Sequence, residues 1–252
     1  CKLVDNCLRD YEGDCKYAQS VKILAVGEPT ISDYDKTRKL TYEEMSDKGQ
    51  ILTIDKARSF SFLVDDIDKA QSVPGLVERF QQKAVHGLAV KRDSYVADLI
   101  SQGTNVTSIT TLTQTAIKEG IDKAIVALRE RNFDEEGVIE ITPAVYNVFK
   151  NELITLSTNN PEYIKKGIVG MYDGFEVMMS NNMKNDGNFT YCDIRGKKAI
   201  AFAAQIDKVE AGRSEDYFKD YIRGLDVYGA KVIDDARIQV LKITDKRTTT
   251  ST

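Results

Sequence analysis

The chain has 252 residues, a length that fits one large domain or two small domains joined closely together. Hydrophobic residues make up 42% and charged residues 29%, and no apolar run approaches the roughly 20 residues that span a bilayer, which argues against a membrane protein. The formal net charge is −4, with Lys and Arg mixed among Asp and Glu. Because this pattern has no basic stripe to neutralise many phosphates, we do not expect direct, tight binding to nucleic acid.

The N-terminal region starts at Cys1 with neither an initiator Met nor a basic-then-apolar leader, so we expect its natural beginning to be missing or processed and no signal peptide to be present. The four cysteines are Cys1, Cys7, Cys15 and Cys192. No C-x-x-C pair occurs and His86 is the one histidine, which argues against a zinc site. A disulfide or a thiolate cluster among the first three cysteines stays open, but reduced structural thiols are favoured for a protein assembled in a cytosol.

The first predicted element is a long two-stranded arm. Apolar residues alternate at 20–26, which predicts a strand, and again at 50–64, which predicts a returning strand. The segment 33–48 between them is rich in charge and poor in large apolar residues, so we expect it to project. Because a two-stranded arm is marginally stable alone, it needs a partner, either the body of the same molecule or a neighbouring copy. An ordinary surface hairpin is the alternative interpretation.

A long helix is predicted from Pro74 to about Gly103. Its apolar residues return every three or four positions and are Leu76, Val77, Phe80, Ala84, Leu88, Val96, Leu99 and Ile100. The polar positions expected on the solvent side are Glu78, Gln82, Lys83, Lys91, Arg92 and Asp98. His86 lies within this helix and is interpreted as a packing or surface residue, not as a general base.

The rest of the chain alternates short strands and helices without a regular βαβ repeat, which predicts the α+β class. The predicted elements are a loop or short strand at 103–113, a helix at 114–131, a strand at 137–141, a helix capped by Thr142-Pro143 and running to Leu153, a hairpin at 167–180 around Asp173-Gly174, and extended segments at 198–206, 225–232 and 236–244. Residues 248–252 are expected to form a frayed polar tail.

No enzyme motif is present. The chain contains no G-x-S-x-G, H-E-x-x-H or G-x-G-x-x-G sequence, and no phosphate-binding loop. The adjacent acid pairs are interpreted as solvated turns and not as catalytic or metal-binding pairs; they are Glu43-Glu44, Asp65-Asp66 and Asp234-Asp235. We therefore predict no catalytic residues, no cofactor and no metal.

Several short motifs in a fixed order point to one family. In chain order they are Leu8-Arg9-Asp10-Tyr11-Glu12-Gly13-Asp14 before Val21-Lys22-Ile23, Phe60-x-Phe62-x-Val64-Asp65-Asp66, Thr142-Pro143-Ala144-Val145-Tyr146, Gly167-Ile168-Val169-Gly170, Gly174-Phe175-Glu176-Val177, Ser180-Asn181-Asn182, Ala204-Gln205, Val209-Glu210, Tyr217-Phe218-x-Asp220 and Tyr228-Gly229-Ala230-Lys231-Val232. Over nearly its whole length the chain thus resembles the major coat proteins of tailed bacteriophages with the Hong Kong 97 fold, in particular the branch of the Salmonella-phage coat protein.

This resemblance implies an extended loop hairpin called the E-loop, a long spine helix, and peripheral and axial domains. The implied divisions are an N-terminal arm remnant at 1–16, the E-loop and its flanking strands at 17–66, the spine helix and peripheral domain at 67–113, a mainly axial domain at 114–225, and a return to the peripheral domain with the C-terminal tail at 226–252.

The resemblance also implies a function: a structural subunit of an icosahedral phage capsid that forms pentamers and hexamers around double-stranded DNA, without sequence-specific DNA binding and without a membrane. The implied location is the virion capsid, assembled in the cytoplasm of a bacterial host, with scaffolding, portal and decoration proteins as possible partners. The E-loop would lie across a neighbouring subunit, and exposed ion pairs worth about 0–1 kcal/mol each would hold it there. The charged residues expected at this contact are Asp33, Asp35, Lys36, Arg38, Lys39, Glu43, Glu44 and Lys48.

The sequence departs from the family pattern in two respects and leaves alternatives open. No space exists for the large inserted domain of some members, and no Asn matches Lys36, Lys39 or Lys48 for the covalent subunit link of others. An encapsulin-like nanocompartment shell, a ring-forming virion or tail component, and an enzyme with a mixed core are the alternatives. A convergent polar pocket would mark the enzyme, and the size of the assembly would separate the others.

Overall fold

The computed structural model describes residues 3–12, 20–23, 49–65, 76–150, 168–214 and 218–244. The helices are α1 (Leu76–Ile100), α2 (Gln114–Arg129) and α3 (Pro143–Phe149), with single 3₁₀ turns at Val4–Asn6 and Asp235–Arg237. The strands are β1 (Ser20–Ile23), β2 (Gln50–Thr53), β3 (Lys56–Asp65), β4 (Val106–Ile109), β5 (Gly137–Ile141), β6 (Ile168–Tyr172), β7 (Phe175–Met179), β8 (Phe189–Gly196), β9 (Ile200–Arg213), β10 (Lys219–Val232) and β11 (Ile238–Thr244).

The larger sheet has six strands in the order β4-β11-β8-β5-β7-β6. It is mixed, because β4 runs parallel to β11 and β5 runs parallel to β7, whereas the other neighbours are antiparallel. Helices α2 and α3 cover one of its faces. The buried apolar residues between these helices and the sheet include Ile117, Ile121, Ile125, Leu128, Val145, Phe149, Ile139, Ile141, Val177, Cys192, Ile194, Leu241 and Ile243.

The predicted helix at 114–131 is confirmed, and its ends follow local chemistry. The Thr113 side chain accepts a hydrogen bond from the Ala116 N–H at the N-terminus. Asn132 follows the C-terminus with a φ of 57°, in the left-handed region that Asn tolerates. The predicted strand at 137–141 coincides with β5, and the helix that opens with Thr142-Pro143 is α3. Leu153 lies outside the described residues.

The hairpin predicted around Asp173-Gly174 is also confirmed. Both turn residues have positive φ, 47° for Asp173 and 85° for Gly174, as a two-residue hairpin turn with the right-handed twist requires. The turn joins β6 to β7 at one edge of the six-stranded sheet. The predicted extended segments at 198–206, 225–232 and 236–244 correspond to parts of β9, β10 and β11, and the tail at 248–252 lies outside the described residues.

The smaller main sheet has the order β3-β10-β9 and packs against α1. This pairing corrects the prediction of one long two-stranded arm. Strand β1 pairs with β2 over four residues, but the longer return strand β3 pairs along its whole length with β10 of the same chain. Period-two alternation shows that a strand has two different faces but does not specify its neighbour, so the partner had to come from the tertiary structure.

The long helix predicted at 74–103 is present as α1, but two of its side chains differ from the prediction. Arg92, expected on the solvent side, reaches the buried carboxylate of Asp226 on β10. Phe80, expected on the apolar face, is 54% exposed. The reason is that α1 is only partly covered: its C-terminal half is packed, with Val96, Ala97 and Ile100 buried, whereas most side chains of its first half face solvent.

Strands β1 and β2, together with Ile54, pack against the three-stranded sheet. Val21, Ile23, Leu52 and Ile54 bury their side chains against Ala201 and Ala203 of β9. Gly229 of β10 allows this close approach, because a Cβ added there would lie 2.2 Å from the backbone oxygen of Thr53. The small residues of β9 and β10 therefore fix the position of β1 and β2 on this sheet.

Replacing Gly229 with Ala should lower the free energy of unfolding by about 1–3 kcal/mol, because the new methyl group meets backbone that cannot move aside without strain. Urea unfolding measures this. The matched control is Gly87→Ala on α1, where a Cβ would contact nothing, and it should raise the stability by up to about 1 kcal/mol. Equal effects of the two substitutions would contradict the close packing of the arm base.

Candidate functional site

The eight charged residues predicted to contact a neighbour all fall within residues 24–48, outside the described part of the chain. They are Asp33, Asp35, Lys36, Arg38, Lys39, Glu43, Glu44 and Lys48. Their role stays a prediction. The structure does describe both strands from which this segment departs, Ser20–Ile23 and Gln50–Thr53, and these are antiparallel neighbours.

An exposed surface with apolar residues lies on the first half of α1. Phe80 and Val85 are 54% and 47% exposed, and a shallow groove follows the same stretch of helix. The groove is lined by Glu78, Gln81, Gln82, Val85, His86 and Ala89. His86 is therefore a surface residue, as predicted. A helix that leaves apolar side chains in solvent indicates a surface that is suited to contact with another molecule.

A buried ion pair holds α1 on the sheet. Arg92 donates through Nε and Nη2 to the two carboxylate oxygens of Asp226, at 2.8 and 2.6 Å. The Asp226 side chain has no exposed surface and the Arg92 side chain retains 15%. This two-bond geometry fixes the position of the helix along β10 as well as its distance from the sheet.

A second charged cluster lies on the face of the six-stranded sheet opposite α2 and α3. Glu140 on β5 is directly opposite Asp193 on β8, and Arg195 follows two residues later on the same face. All three side chains have no exposed surface. Arg195 Nη2 lies 3.0 Å from Glu140 Oε1, and Arg195 Nε lies 3.1 Å from Asp193 Oδ2.

The N-terminal segment covers this cluster. Arg195 donates to the backbone oxygens of Asn6 (2.7 Å) and Leu3 (3.1 Å), and the Asn6 amide donates to Glu140 Oε1 at 2.7 Å. Cys7 lies in the same segment and is buried as a free thiol. The guanidinium therefore holds the segment through its backbone, so the segment is ordered by charge as well as by apolar packing.

The same segment is bound from two further directions. The Leu3 and Val4 N–H groups donate to Asp93 Oδ1 on α1, at 3.1 and 3.3 Å. Leu8 forms a parallel bridge to Ala201 of β9, on the smaller sheet. Residues 3–8 thus touch the six-stranded sheet, α1 and the three-stranded sheet, and the two main sheets are joined at this position.

Burial changes the proton affinity of several groups in the cluster. Burial, followed by the nearby charge of Glu140, raises the pKa of Asp193 well above its usual range, and Arg195 only partly opposes this. Burial also raises the pKa of the Cys7 and Cys192 thiols to about 12. The raised pKa favours the protonated, less reactive form of both thiols, and the free, buried thiol of Cys7 agrees with the reduced structural cysteine predicted there. Cys1 and Cys15 lie outside the described residues.

Among the described residues, no group of three or more His, Cys, Asp or Glu side chains is placed to hold a metal ion. No described helix is long and apolar enough to cross a membrane. Sequence reasoning did not identify the buried residues Asn6, Asp93, Glu140, Asp193 and Arg195. The one available signal was the pattern of charged residues alternating with apolar ones in β8, and this pattern normally indicates a solvent-facing strand.

Replacing Asp226 with Ala should lower the free energy of unfolding by about 3 kcal/mol, because it leaves the mostly buried Arg92 without its counter-charge. Chemical denaturation measures the loss. The control is Glu210→Ala, which removes the partner of Arg223 on the open face of the same sheet and should change stability far less. A loss as large in the control as in the variant would show that the position of α1 does not depend on this pair.

Comparisons with known proteins agree with this geometry. The model of a family described as "Phage capsid protein" matches residues 48–241. A solved structure from Mycobacterium phage Che8 is 28% identical, with a TM-score of 0.77, over 95% of this chain and 90% of that chain. The capsid of Ralstonia phage GP4 is 12% identical, with a TM-score of 0.70, over 98% and 89%. A virus-like particle from Pyrococcus furiosus is 13% identical, with a TM-score of 0.58, over 96% and 92%.

No curated protein sequence matches the chain. The mixed helix and sheet architecture predicted from the sequence is confirmed as the Hong Kong 97 type found in phage capsids. Because the family model covers most of the chain and the fold agrees with it, the chain belongs to the phage capsid protein family and has a structural role in the virion capsid.

Proposed function

We propose that this chain is the repeating subunit of an icosahedral phage head, which forms pentamers and hexamers and encloses double-stranded DNA. The observation that carries this proposal is the family match over residues 48–241, on a fold that aligns with phage capsids over nearly the full chain. The Salmonella-phage branch stays a prediction, since the family match and the aligned capsid structures support a phage capsid without distinguishing this branch.

The two main sheets suggest how the subunit is divided. We assign the three-stranded sheet and α1 to the peripheral domain, with α1 as the spine helix, and the six-stranded sheet with α2 and α3 to the axial domain. On this assignment the chain crosses between domains more often than the sequence divisions imply. Strand β9 and the first part of β10, within 114–225, are peripheral, whereas β11, within 226–252, is axial.

The exposed half of α1 is the surface proposed to receive the E-loop of a neighbouring subunit. It combines apolar contacts at Phe80 and Val85 with both signs of charge at Glu78, Arg79 and Lys83. The E-loop segment 24–48 also carries charges of both signs and has few large apolar residues with which to fold alone. Such contacts are weak individually, and a shell that repeats them gains strength by multivalency.

The overall charge supports a container function. With a formal net charge of −4, the subunit offers little attraction for DNA, so the packaged polymer would remain free to move. Assembly in the host cytoplasm, and scaffolding, portal and decoration proteins as partners, complete the proposal.

An encapsulin-like shell is the second candidate. The observation in its favour is the alignment with the virus-like particle from Pyrococcus furiosus. The alignment with the Che8 structure has the higher TM-score, 0.77 against 0.58, and the higher identity, so the phage head is favoured. A ring-forming virion or tail component would differ from both in the size of the assembly.

The proposed function is tested by negative-stain electron microscopy of the purified full-length chain, with its natural N-terminus and, where needed, a scaffolding protein. Closed particles, or sheets of pentamers and hexamers, are expected. Empty interiors would favour a phage head, and enzyme cargo would favour an encapsulin. Small rings would favour a virion or tail component, and monomers under all conditions would overturn the shell function.

The double substitution Lys36→Glu and Lys39→Glu should reduce particle yield about tenfold or more at low ionic strength, because it reverses charge in the proposed intersubunit contact. Sedimentation and particle counting measure the yield. The control makes the same change at Lys123 and Lys150, which are exposed on α2 and next to α3. Normal assembly of the first variant, or an equal loss of assembly in the control, would contradict the assignment of the E-loop contact.

A further inference from the structure

The backbone of the N-terminal segment makes polar contacts with several other elements of the fold. Between Leu3 and Leu8 its backbone donates to Asp93, accepts from Arg195, and bridges to Ala201. These three partners belong to α1, the six-stranded sheet and the three-stranded sheet. Release of the segment would therefore break polar links at both main sheets and at α1 together.

The cluster below the segment has unbalanced charge. Among the described residues it holds one guanidinium, that of Arg195, and two carboxyl groups, those of Glu140 and Asp193, and none of the three side chains is exposed to solvent. Two ionised carboxylates would give these three groups a net charge of −1 in a buried site, which is strongly unfavourable. Glu140 and Asp193 are also direct cross-strand neighbours, an arrangement in which like charges repel.

Hydrogen bonding in the cluster is incomplete in a way that one proton would partly correct. Within the described part of the chain, Glu140 Oε2 and both oxygens of Asp193 are buried and have no assigned hydrogen bond, and the one close charged contact of these atoms is that of Asp193 Oδ2 with Arg195 Nε at 3.1 Å. A carboxylate oxygen can only accept, so two facing carboxylates cannot bond to each other. If one of them is protonated, its O–H can donate to the other, and the net charge of the cluster becomes zero.

We propose that residues 3–8 form a latch between the two main sheets, and that the latch is closed by one proton that Asp193 carries and donates to Glu140, so that it loosens when this proton is lost. The opening step releases the proton from the carboxyl O–H to solvent water and leaves the electron pair on the oxygen. This inference concerns the single subunit and does not depend on the proposed shell.

The direction of the pH dependence follows from the groups that surround Asp193. These are Glu140 on β5, Arg195 on β8 and Cys7 on the latch itself, and Asp93 on α1 holds the same latch from the other side. The pKa of Asp193 is raised in the folded chain, mainly by burial and then by Glu140. The closed form thus binds more protons than the open or unfolded form.

The closed latch is consequently favoured at low pH. Its advantage falls as the pH rises from about 3.9, the ordinary pKa of Asp, through the raised pKa of the folded chain, and it changes no further above that value. This is opposite to the behaviour of a carboxylate held in a salt bridge with a lowered pKa.

The rate at which the Cys7 thiol reacts with a thiol reagent reports whether the latch is open, because this thiol is buried while the latch is closed. We would label the full-length chain with dithiodipyridine from about pH 5 to about pH 9 and quantify Cys7 by peptide mapping, with Cys192 as the buried internal reference. Each rate is divided by that of Asp193→Asn at the same pH, since Asn cannot ionise and keeps the latch closed.

The ratio should be lowest at the acid end and rise about tenfold or more towards the alkaline end. Asp186→Asn, the same change on an exposed loop, should leave the wild-type profile unchanged. If Asp193→Asn does not fold, Glu140→Gln serves in its place, because it also removes one carboxylate and keeps an acceptor for Arg195. A ratio that stays constant between about pH 5 and about pH 9 would overturn the proposal that a proton holds the latch closed.

The latch itself is tested by Asn6→Leu, which removes the 2.7 Å hydrogen bond to Glu140. This change should increase Cys7 labelling about tenfold at every pH, whereas Asn147→Leu on the exposed side of α3 should not change it. Labelling of wild-type Cys7 as fast as in the urea-unfolded chain would show that the segment is not held closed at all.

Discussion

The contact of Arg195 with Glu140, Asp193 and the N-terminal backbone is the constraint on which the rest of the subunit depends. The six-stranded sheet packs one apolar core under α2 and α3, and a second apolar cluster lies between α1, the N-terminal segment and strands of both main sheets; it includes Leu3, Val96, Phe202, Tyr228 and Val240. The polar seam at which residues 3–8 meet both sheets and α1 adds directional contacts to this apolar packing. Because that seam contains charged side chains with no exposed surface, it has a narrow set of allowed geometries, and the subunit has a defined shape there.

A defined subunit shape matters for a protein whose function is to tile a closed surface. The curvature of a shell is set by the angles between repeated contacts, and small changes within each subunit are multiplied over many copies. The buried pair Arg92–Asp226 fixes the long helix on its sheet, and the close approach at Gly229 fixes β1 and β2 on the same sheet. The subunit body is thus held by specific contacts at these two places, while the first half of α1, the proposed contact surface, carries exposed apolar and charged side chains suited to reversible association.

The comparison of sequence and structure separates two kinds of information. The helix at 114–129, the strand at 137–141 and the Asp173-Gly174 turn were predictable, because each depends on residues close together in the chain. The pairing of β3 with β10 was not, because every alternating strand offers a similar edge. Arg92 was assigned to the solvent-facing side of α1, because a charged residue reveals nothing in sequence about a partner 134 positions away.

The sequence by itself determined the fold class, most element positions and, through the order of its short motifs, the family. Those properties depend on local periodicity, turn chemistry and the linear order of segments, and all three can be read directly from the amino-acid sequence. Only the tertiary structure decided which charges are buried. Glu140, Asp193 and Arg195 alternate with apolar residues as exposed strand residues do, and they become a closed cluster because residues 3–8 fold back over them. Burial is a property of what covers a residue, and that covering segment is more than 130 residues away in sequence.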